Sequence, residues 1–251
     1  MPKTPFQDIK IVELTNYIAA PLITRYLSDL GAEVIKIEGR GRPDPERSGR
    51  LGDDFLQNNT GKLDIALNLR NPKGVEITKK LVARADIVVE NFAGGVMARL
   101  GLGYEDLKKV KPDIIMISSC MQGQTGPWAQ SPGLGSHLAG LMGFNEIAGW
   151  PDREPAELGV YTDYVAPQIS ALAIMAALDY RRRTGKGQYF DFSQGEASLH
   201  FLGPLLLDYS VNKRVATRMG NRYPYAAPHN AYRCRGEDRW CAIAVFTDEE
   251  W

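Results

Sequence analysis

The first half of the chain alternates between short apolar runs and amphipathic segments. Strand-length apolar runs occur at residues 9–14, 33–38, 63–69, 86–90 and 113–118. The near-continuous apolar character of the runs at 86–90 and 113–118 is typical of strands that helices cover on both faces. Between the first two runs, Pro21–Leu30 has apolar residues at spacings of three and four, and Gly31 is placed to end a helix there. The pattern predicts an α/β fold with a Rossmann-like, doubly wound, mostly parallel sheet and flanking helices.

The second half of the chain has fewer strand signals. Asp163–Arg183 predicts the longest helix, and a strand at 188–192 and a further helix follow it. Residues 209–239 are rich in Arg, Asn, Tyr and Pro and predict irregular structure before a last strand at 239–245. We therefore expect a Rossmann-like domain over residues 1–208, followed over residues 209–251 by a linker and the start of a second, smaller domain.

Composition narrows the class of protein. The 251 residues carry 30 basic and 30 acidic side chains, so net charge gives no general attraction to nucleic acid or anionic lipid. The longest apolar run, Ile169–Leu178, is too short to span a membrane, and the N-terminus lacks the apolar stretch of a signal peptide. Cys120, Cys234 and Cys241 show no C-x-x-C spacing. We expect a cytoplasmic protein with reduced thiols and with no metal site and no nucleic-acid or membrane partner.

Three segments offer candidate chemistry. The first βα turn, Thr15–Pro21, has no G-x-G-x-x-G sequence, which disfavours a nicotinamide or flavin site. Arg40 follows a strand in a glycine-rich turn, where it either meets an anionic ligand or lies in a solvated loop. Asn91 and Phe92 end another strand and are followed by Arg99. They offer an amide, a ring and a guanidinium to a ligand, or else form a turn with a buried ring.

Asp163 precedes the longest predicted helix. The commonest role of an aspartate there is an N-cap. The alternative is a nucleophile whose carboxylate the positive end of the helix keeps ionised.

In combination these segments resemble the class III CoA-transferase family of the formyl-CoA and carnitine type. The resemblance rests on six segments in order, which are VELTNYIAAPLITRYLSDLGAEVIKIE (12–38), LNLRNPKG (67–74), ADIVVENFAGGVMARLGLGYEDL (85–107), QGQTGP (122–127), the Asp163 segment and RRTGKGQYFDFS (182–193). It implies that CoA passes from an acyl-CoA donor to a carboxylic acid acceptor through a covalent aspartyl intermediate. CoA is then a substrate and no cofactor is permanently bound.

The resemblance also implies roles for individual residues. Asp163 matches the nucleophile of the family. The implied CoA contacts are Tyr17, Ile18, Ala19, Arg40, Leu67, Arg70, Asn91, Phe92 and Arg99. Gly39 and Gly135 depart from the family pattern, since members often carry an arginine and an acid there. Family members form interlocked dimers, so a homodimer is expected, with a heteromer as the alternative. They are also longer, so we expect this chain to be an N-terminal fragment.

Two related functions stay open at this stage. Racemases of the same fold place a His-Asp pair directly after the glycine that matches Gly133, where this chain has Leu134 and Gly135, and His137 is out of register. A non-catalytic CoA-binding subunit is the other alternative, and the presence of Asp163 argues against it. The sequence does not identify the donor or the acceptor acid.

Overall fold

The computed structural model describes residues 4–39, 41–48 and 52–251, and these residues form one six-stranded parallel sheet and one hairpin. The strands of the sheet are β1 (Lys10–Leu14), β2 (Glu33–Glu38), β3 (Leu63–Ala66), β4 (Ile87–Glu90), β5 (Ile115–Cys120) and β6 (Tyr189–Ser193). Their order is β3-β2-β1-β4-β5-β6, and every neighbouring pair is parallel. The predicted Rossmann-like sheet is therefore confirmed.

Helices connect the strands and cover the sheet. They are α1 (Ala19–Asp29), α2 (Gly52–Asn59), α3 (Pro72–Val82), α4 (Val96–Arg99), α5 (Tyr104–Val110), α6 (Gly135–Leu141), α7 (Tyr161–Thr184), α8 (Gln194–Leu199) and α9 (Gly203–Asn212). Short 3₁₀ turns lie at Pro45–Arg47 and His200–Leu202. Local chemistry fixes several helix ends. Asn71 caps α3 by accepting a hydrogen bond from the Lys73 N–H at 2.9 Å, and Gly185 ends α7 with a left-handed φ of 72°.

Apolar residues on the two faces of the sheet form separate core clusters among the described residues. On β1, Ile11 belongs to one cluster and Val12 to the other, because successive strand side chains point to opposite faces. Residues of α1 and α7 complete the first cluster, and residues of α3, α4 and α5 complete the second. The apolar runs that form β1, β2, β4 and β5 are thus largely buried, whereas β3, at the edge of the sheet, is exposed.

The described chain divides into two compact units. One comprises Met1–Leu138 and Val160–His200 and holds the parallel sheet, and the other comprises Ala139–Gly159 and Phe201–Trp251. The second unit contains an antiparallel hairpin of β7 (His229–Arg233) and β8 (Trp240–Ala244). β7 corrects the prediction of irregular structure there, because its polar residues show no apolar strand pattern. The predicted domain boundary after residue 208 stays a prediction.

Within the part of the chain that the structure describes, no helix is both long enough and apolar enough to span a bilayer.

Candidate active site

A cavity lies where the strand order of the sheet reverses. β1 has β2 on one side and β4 on the other, so the turns after β1 and β4 leave the carboxyl edge of the sheet side by side. Such switch points are where open α/β sheets bind ligands. The cavity here has a volume of about 220 Å³, and its lining includes Tyr17, Ala19, Asn91, Cys120, Gly135 and Asp163.

Asn91 joins the two turns at the switch point. Its Oδ1 accepts a hydrogen bond from the Asn16 N–H at 2.9 Å, and its Nδ2 donates to the Asn16 carbonyl oxygen at 2.8 Å. The amide therefore satisfies both backbone groups of one residue in the first turn. Asn91 therefore lines the cavity and also fixes the position of the turn after β1.

The first turn is held in an unusual backbone conformation. Tyr17 has a left-handed φ of 65°, which is uncommon for a residue with a side chain. Its N–H donates to Asp44 Oδ1 at 3.2 Å, and Lys36 Nζ donates to the Thr15 carbonyl oxygen at 2.7 Å. Buried polar groups beneath the turn thus hold it in place, while the Tyr17 side chain remains exposed at the cavity.

Asp163 lies in the first turn of α7 and lines the cavity. The helix begins at Tyr161, and Val160 is the N-cap residue. The N-cap role predicted for Asp163 is therefore wrong, because the helix starts two residues before it. The side chain is 9% exposed. Burial raises the pKa of the Asp163 carboxyl to about 7, and the negative charge of Glu46 adds to the increase.

Glu46 is a buried residue outside the described cavity lining whose charge acts on Asp163, and sequence reasoning missed it. It lies in the 3₁₀ turn after β2 and is buried. Its N–H donates to Asp44 Oδ1 at 3.1 Å, and its Oε2 accepts a hydrogen bond from Asn58 Nδ2 at 3.2 Å. Nothing in the local sequence separates it from the exposed charges of the same turn. Its effect on Asp163 places a second buried carboxylate in the electrostatic surroundings of the cavity.

The loop after β5 is fastened to the turn after β4 by Gln124. Its Oε1 accepts from the Gly95 N–H at 3.1 Å, and its Nε2 donates to the Phe92 carbonyl oxygen at 3.3 Å. The Gln124 N–H donates to Asp191 Oδ1 at 2.6 Å, and Thr125 Oγ1 donates to Asp191 Oδ2 at 3.1 Å. Side chains from β6 and from the loop itself therefore hold the start of this loop, next to the cavity-lining residues Met121 and Gln122.

Two other titratable groups lie close to these contacts. Burial raises the pKa of Glu90 to about 7, and the charge of Asp191 acts in the same direction. Burial also raises the pKa of the Cys120 thiol to about 11, with further increases from Glu90 and Asp191. Cys120 is half-buried in the cavity lining. It is therefore a neutral thiol near neutral pH, which does not favour a role as a thiolate nucleophile.

Glu38 occupies the place where dinucleotide enzymes hold a ribose. It is the last residue of β2, the strand whose end carries the ribose-binding acid in such folds. Arg47 Nε donates to its Oε2 at 2.8 Å, and the Asp44 N–H donates to its Oε1 at 3.0 Å. Burial opposes ionisation, but these hydrogen bonds hold the pKa of Glu38 at about 2. Because the protein itself uses this carboxylate, the site does not fit a dinucleotide.

His137 lies on α6 and makes its hydrogen bond to the segment before that helix. Its side chain is exposed, and its Nδ1 accepts a hydrogen bond from the Leu134 N–H at 3.3 Å. The ring thereby caps the turn before α6, and it is absent from the described lining of the cavity. This geometry gives no support to proton abstraction by His137.

Comparison with known proteins identifies the family. The sequence profile described as CoA-transferase family III matches residues 6–251. The chain belongs to CoA-transferase family III. It is 36% identical to the succinyl-CoA–D-citramalate CoA-transferase of Chloroflexus aurantiacus over 98% of this chain and 63% of that protein. It is 37% identical to the acetyl-CoA:oxalate CoA-transferase of Acetobacter aceti over 93% of this chain and 62% of that protein.

Solved structures agree with this family assignment. A CAIB/BAIF family protein from Brucella suis matches with a TM-score of 0.88 and 35% identity, over 96% of this chain and 66% of that one. Rv3272 from Mycobacterium tuberculosis matches with a TM-score of 0.87 and 26% identity, over 100% of this chain and 66% of that one. The chain spans about three fifths of the length of the curated relatives named above.

The structure brings together Asp163, the implied nucleophile, and part of the CoA-binding set that the family III resemblance implies. Tyr17, Ala19, Asn91 and Asp163 line one cavity. The described lining does not include Ile18, Leu67, Phe92, Arg70 or Arg99. Leu67 and Phe92 pack against the core instead, whereas Arg70 and Arg99 are exposed. Arg40 lies outside the described residues.

Proposed function

We propose that this family III protein transfers CoA from an acyl-CoA thioester to a free carboxylic acid, with Asp163 as the nucleophile. The observation that carries the proposal is a buried carboxyl group lining the cavity at the sheet's switch point. Relatives over nearly the whole chain are named as CoA-transferases, which supports the same reaction class. The proposal concerns the whole protein, of which this chain corresponds to about three fifths of the relatives' length.

The proposed reaction consists of four nucleophilic acyl substitutions. The Asp163 carboxylate attacks the donor thioester, forms a mixed anhydride and releases the CoA thiolate. The thiolate attacks the aspartyl carbonyl and expels the donor carboxylate, which leaves an aspartyl-CoA thioester. The acceptor carboxylate attacks this thioester and releases the thiolate again. The thiolate finally attacks the acceptor carbonyl of the new anhydride and frees Asp163, so no proton is gained or lost overall.

The electrostatics of Asp163 suit this chemistry. A pKa of about 7 makes the ionised carboxylate a more basic nucleophile than an exposed aspartate. Only the ionised form attacks, so the rate of the first step is expected to rise with pH through about 7. Burial also limits the access of water to the anhydride and thioester, which water would otherwise hydrolyse.

In the proposed complex, CoA binds against the turns that follow β1 and β4 at the switch point. Tyr17, Ile18, Ala19 and Asn91 contact the part of CoA near the thioester, next to Asp163. The other proposed contacts, toward the phosphates and the adenosine, are Arg40, Leu67, Arg70, Phe92 and Arg99. Arginine suits phosphate because its guanidinium donates two parallel hydrogen bonds.

The proposed partners are an acyl-CoA donor, a carboxylic acid acceptor and a second subunit. The names of three relatives include D-citramalate, oxalate and glutarate, so small dicarboxylic acids are the first acceptors to screen. We propose an interlocked homodimer. A heteromer is the alternative, because two relatives are named as the alpha and beta subunits of one succinyl-CoA–L-malate CoA-transferase.

The proposal is tested by capture of the intermediate. The full-length protein is incubated with succinyl-, acetyl- or formyl-CoA and quenched, and its peptides are weighed by mass spectrometry. We expect a CoA or acyl adduct on the Asp163 peptide, with loss of the adduct and of turnover in Asp163→Asn. Asp179→Asn, an exposed change on the same helix, is the matched control and keeps both.

Two outcomes would contradict the proposal. Adduct formation and turnover that persist in Asp163→Asn would exclude Asp163 as the nucleophile. Exchange of the substrate α-proton for deuterium in heavy water, with no acceptor acid present and no adduct, would indicate a racemase instead.

A further inference from the structure

Two buried polar side chains that the proposed mechanism does not use line the same cavity as Asp163. Ser119 lies near the end of β5, and Gln194 is the first residue of α8, directly after β6. Their exposed fractions are only 1% and 5%. Within the described residues, neither side chain makes a hydrogen bond. A buried polar group without a partner is unfavourable, so such a group in a cavity wall is available to a ligand.

The register of the sheet places Ser119 on the face that α7 covers. Ser119 is the partner of Phe192 in the β5–β6 register and lies two residues after Ile117. Ile117 belongs to the core cluster that α1 and α7 complete, Phe192 packs against it, and side chains two apart on a strand share a face. Gln194 follows β6 directly and lines the same cavity. Ser119, Gln194 and Asp163 therefore reach the cavity from three neighbouring elements.

The backbone on either side of Gln194 is fixed to the loop after β5. Ser193 Oγ donates a hydrogen bond to the Met121 carbonyl oxygen at 3.4 Å, and the Gly195 N–H donates to the same oxygen at 3.0 Å. The backbone is therefore anchored before and after Gln194, while the side chain between these anchors has no bond of its own. A group held in this way loses little further freedom when a ligand binds to it.

Ser119 and Gln194 offer neutral hydrogen-bonding groups. Ser119 has a hydroxyl, and Gln194 has an amide with two N–H donors and one oxygen acceptor. The described lining of the cavity contains no lysine, arginine or histidine. A hydroxyl, keto or carboxylate oxygen of a ligand satisfies such groups. An alkyl group in the same place removes water from them and leaves them unpaired, so a site of this kind rejects analogues that lack the bonding group.

We propose that Ser119 and Gln194 form a subsite that binds the part of the substrate acid beyond its reacting carboxyl group. The subsite selects acids with a second oxygen-bearing group, which are hydroxy, keto and dicarboxylic acids, over alkyl acids of the same length. The inference rests on the proposed function, because the acid has to enter this cavity to react at Asp163. It adds to that function a substrate class and the two residues that determine it.

The test compares succinate, 4-hydroxybutyrate and butyrate, which share a carbon chain and end in a carboxylate, a hydroxyl or a methyl group. Calorimetric titration measures their dissociation constants with the full-length Asp163→Asn protein, with and without CoA. The neutral amide of this variant replaces the aspartyl thioester that the acceptor meets. We expect succinate or 4-hydroxybutyrate to bind on the order of 10-fold more tightly than butyrate, and the better of the two identifies the preferred group. Equal or tighter binding of butyrate, or binding of none of the three acids, would overturn the inference.

Two substitutions in the same background assign the preference to residues. Ser119→Ala and Gln194→Met each remove a donor, so each should reduce the preference over butyrate several-fold, and the double variant should abolish it. Ser170→Ala is the control for Ser119→Ala, because Ser170 Oγ is also buried without a partner but lies outside the described lining. Gln168→Met, an exposed change on α7, is the control for Gln194→Met. Both controls should keep the preference, and its persistence in the double variant would overturn the inference.

Stability and adduct formation separate the possible failures. Ser119→Ala and Gln194→Met remove groups that are unpaired in the free protein, so neither should lower the melting temperature without ligand. Loss of folding in both would mean that the groups bond within the protein, and would overturn the inference. If wild type forms no Asp163 adduct but the preference depends on these residues, the proposed function fails and the subsite stands. If the adduct forms but the three acids bind equally, the subsite fails and the proposed function stands.

Discussion

Glu13 and Asp163 are both buried carboxyl groups in the unit that holds the parallel sheet, but their surroundings are opposite. Glu13 Oε1 lies 3.2 Å from Lys36 Nζ, and Glu13 Oε2 lies 2.9 Å from Lys62 Nζ. Burial opposes its ionisation, yet the two ammonium groups hold the pKa of Glu13 below its ordinary value. Asp163 has no such partner among the described residues, and burial raises its pKa to about 7.

The contrast shows that burial alone does not determine what a carboxyl group does. Glu13 is ionised, paired and hydrogen-bonded, so its charge serves the structure of the first turn. Asp163 has no such structural role. Because it is buried without a partner, its ionised form is unfavourable in the folded state. An unpaired, desolvated carboxyl group in a cavity is a candidate for chemistry, whereas a paired one beneath a turn supports that turn.

The largest expected effect comes from breaking the paired cluster. Lys36→Met removes an ammonium group that contacts Glu13, Asp44 Oδ2 at 3.3 Å and the Thr15 carbonyl oxygen. Removing one member of a buried ion pair leaves an uncompensated charge and costs about 3–5 kcal/mol. We expect that loss in the free energy of unfolding, measured by urea denaturation.

An exposed lysine provides the control for Lys36→Met. Lys80 pairs with Glu76 at 2.6 Å on the surface of α3, and both side chains are largely exposed. Lys80→Met is expected to change the free energy of unfolding by less than about 0.5 kcal/mol. A similar small effect of Lys36→Met would mean that the buried pairing is not what keeps Glu13 ionised.

The second prediction concerns stability at the unpaired carboxyl group. The pKa of Asp163 is raised from 3.8 to about 7 on folding, so the folded state binds the proton more tightly. The contribution of Asp163 to the free energy of unfolding therefore falls as pH rises from 3.8 to about 7. Asp163→Asn removes the ionisation. We expect it to stabilise the protein by up to about 4 kcal/mol near pH 8, and the gain to vanish at acid pH.

The pH dependence is what distinguishes this effect from a packing change. Asp179 lies on the same helix, is exposed and pairs with Arg183 at 2.8 Å. Asp179→Asn should show no comparable rise in relative stability from acid to alkaline pH. A difference between Asp163→Asn and wild type that is constant over the whole pH range would contradict the desolvation of Asp163.

The fold was largely predictable because four strands of the sheet, β1, β2, β4 and β5, are largely buried on both faces. The run at 9–14 became β1 (Lys10–Leu14), and the run at 33–38 became β2 with the predicted bounds. Hydrophobic burial favours apolar residues at most positions of such segments, so the pattern is strong. β7 lacks this constraint, because its residues HNAYR are partly or fully exposed and pair with β8 alone.

The site was less predictable, because buried and exposed charges look alike in sequence. Asp163 was found through the family resemblance, whereas Glu46 and Lys62 gave no signal. One signal was present for the paired cluster. Glu13 and Lys36 interrupt two apolar strands and are direct partners in the β1–β2 register. Opposite charges at matching positions of adjacent buried strands indicate an internal ion pair, but only once the register is known.

The smallest expected effect comes from a substitution that changes the charge near Asp163 and leaves Asp163 itself intact. Glu46 is buried, and its negative charge adds to the effect of burial on the pKa of Asp163. Glu46→Gln removes that charge and keeps an amide that can still meet Asn58. Because burial is the larger cause and remains, we expect the acid limb of the pH profile for adduct formation to move to lower pH by less than about one unit. Glu33→Gln, an exposed change at the other end of β2, should leave the profile unchanged. A shift of the acid limb to higher pH in Glu46→Gln would mean that Glu46 favours the ionised form of Asp163. Asp163 would then have a favourable partner, as Glu13 does, and the contrast between the two carboxyl groups would fail.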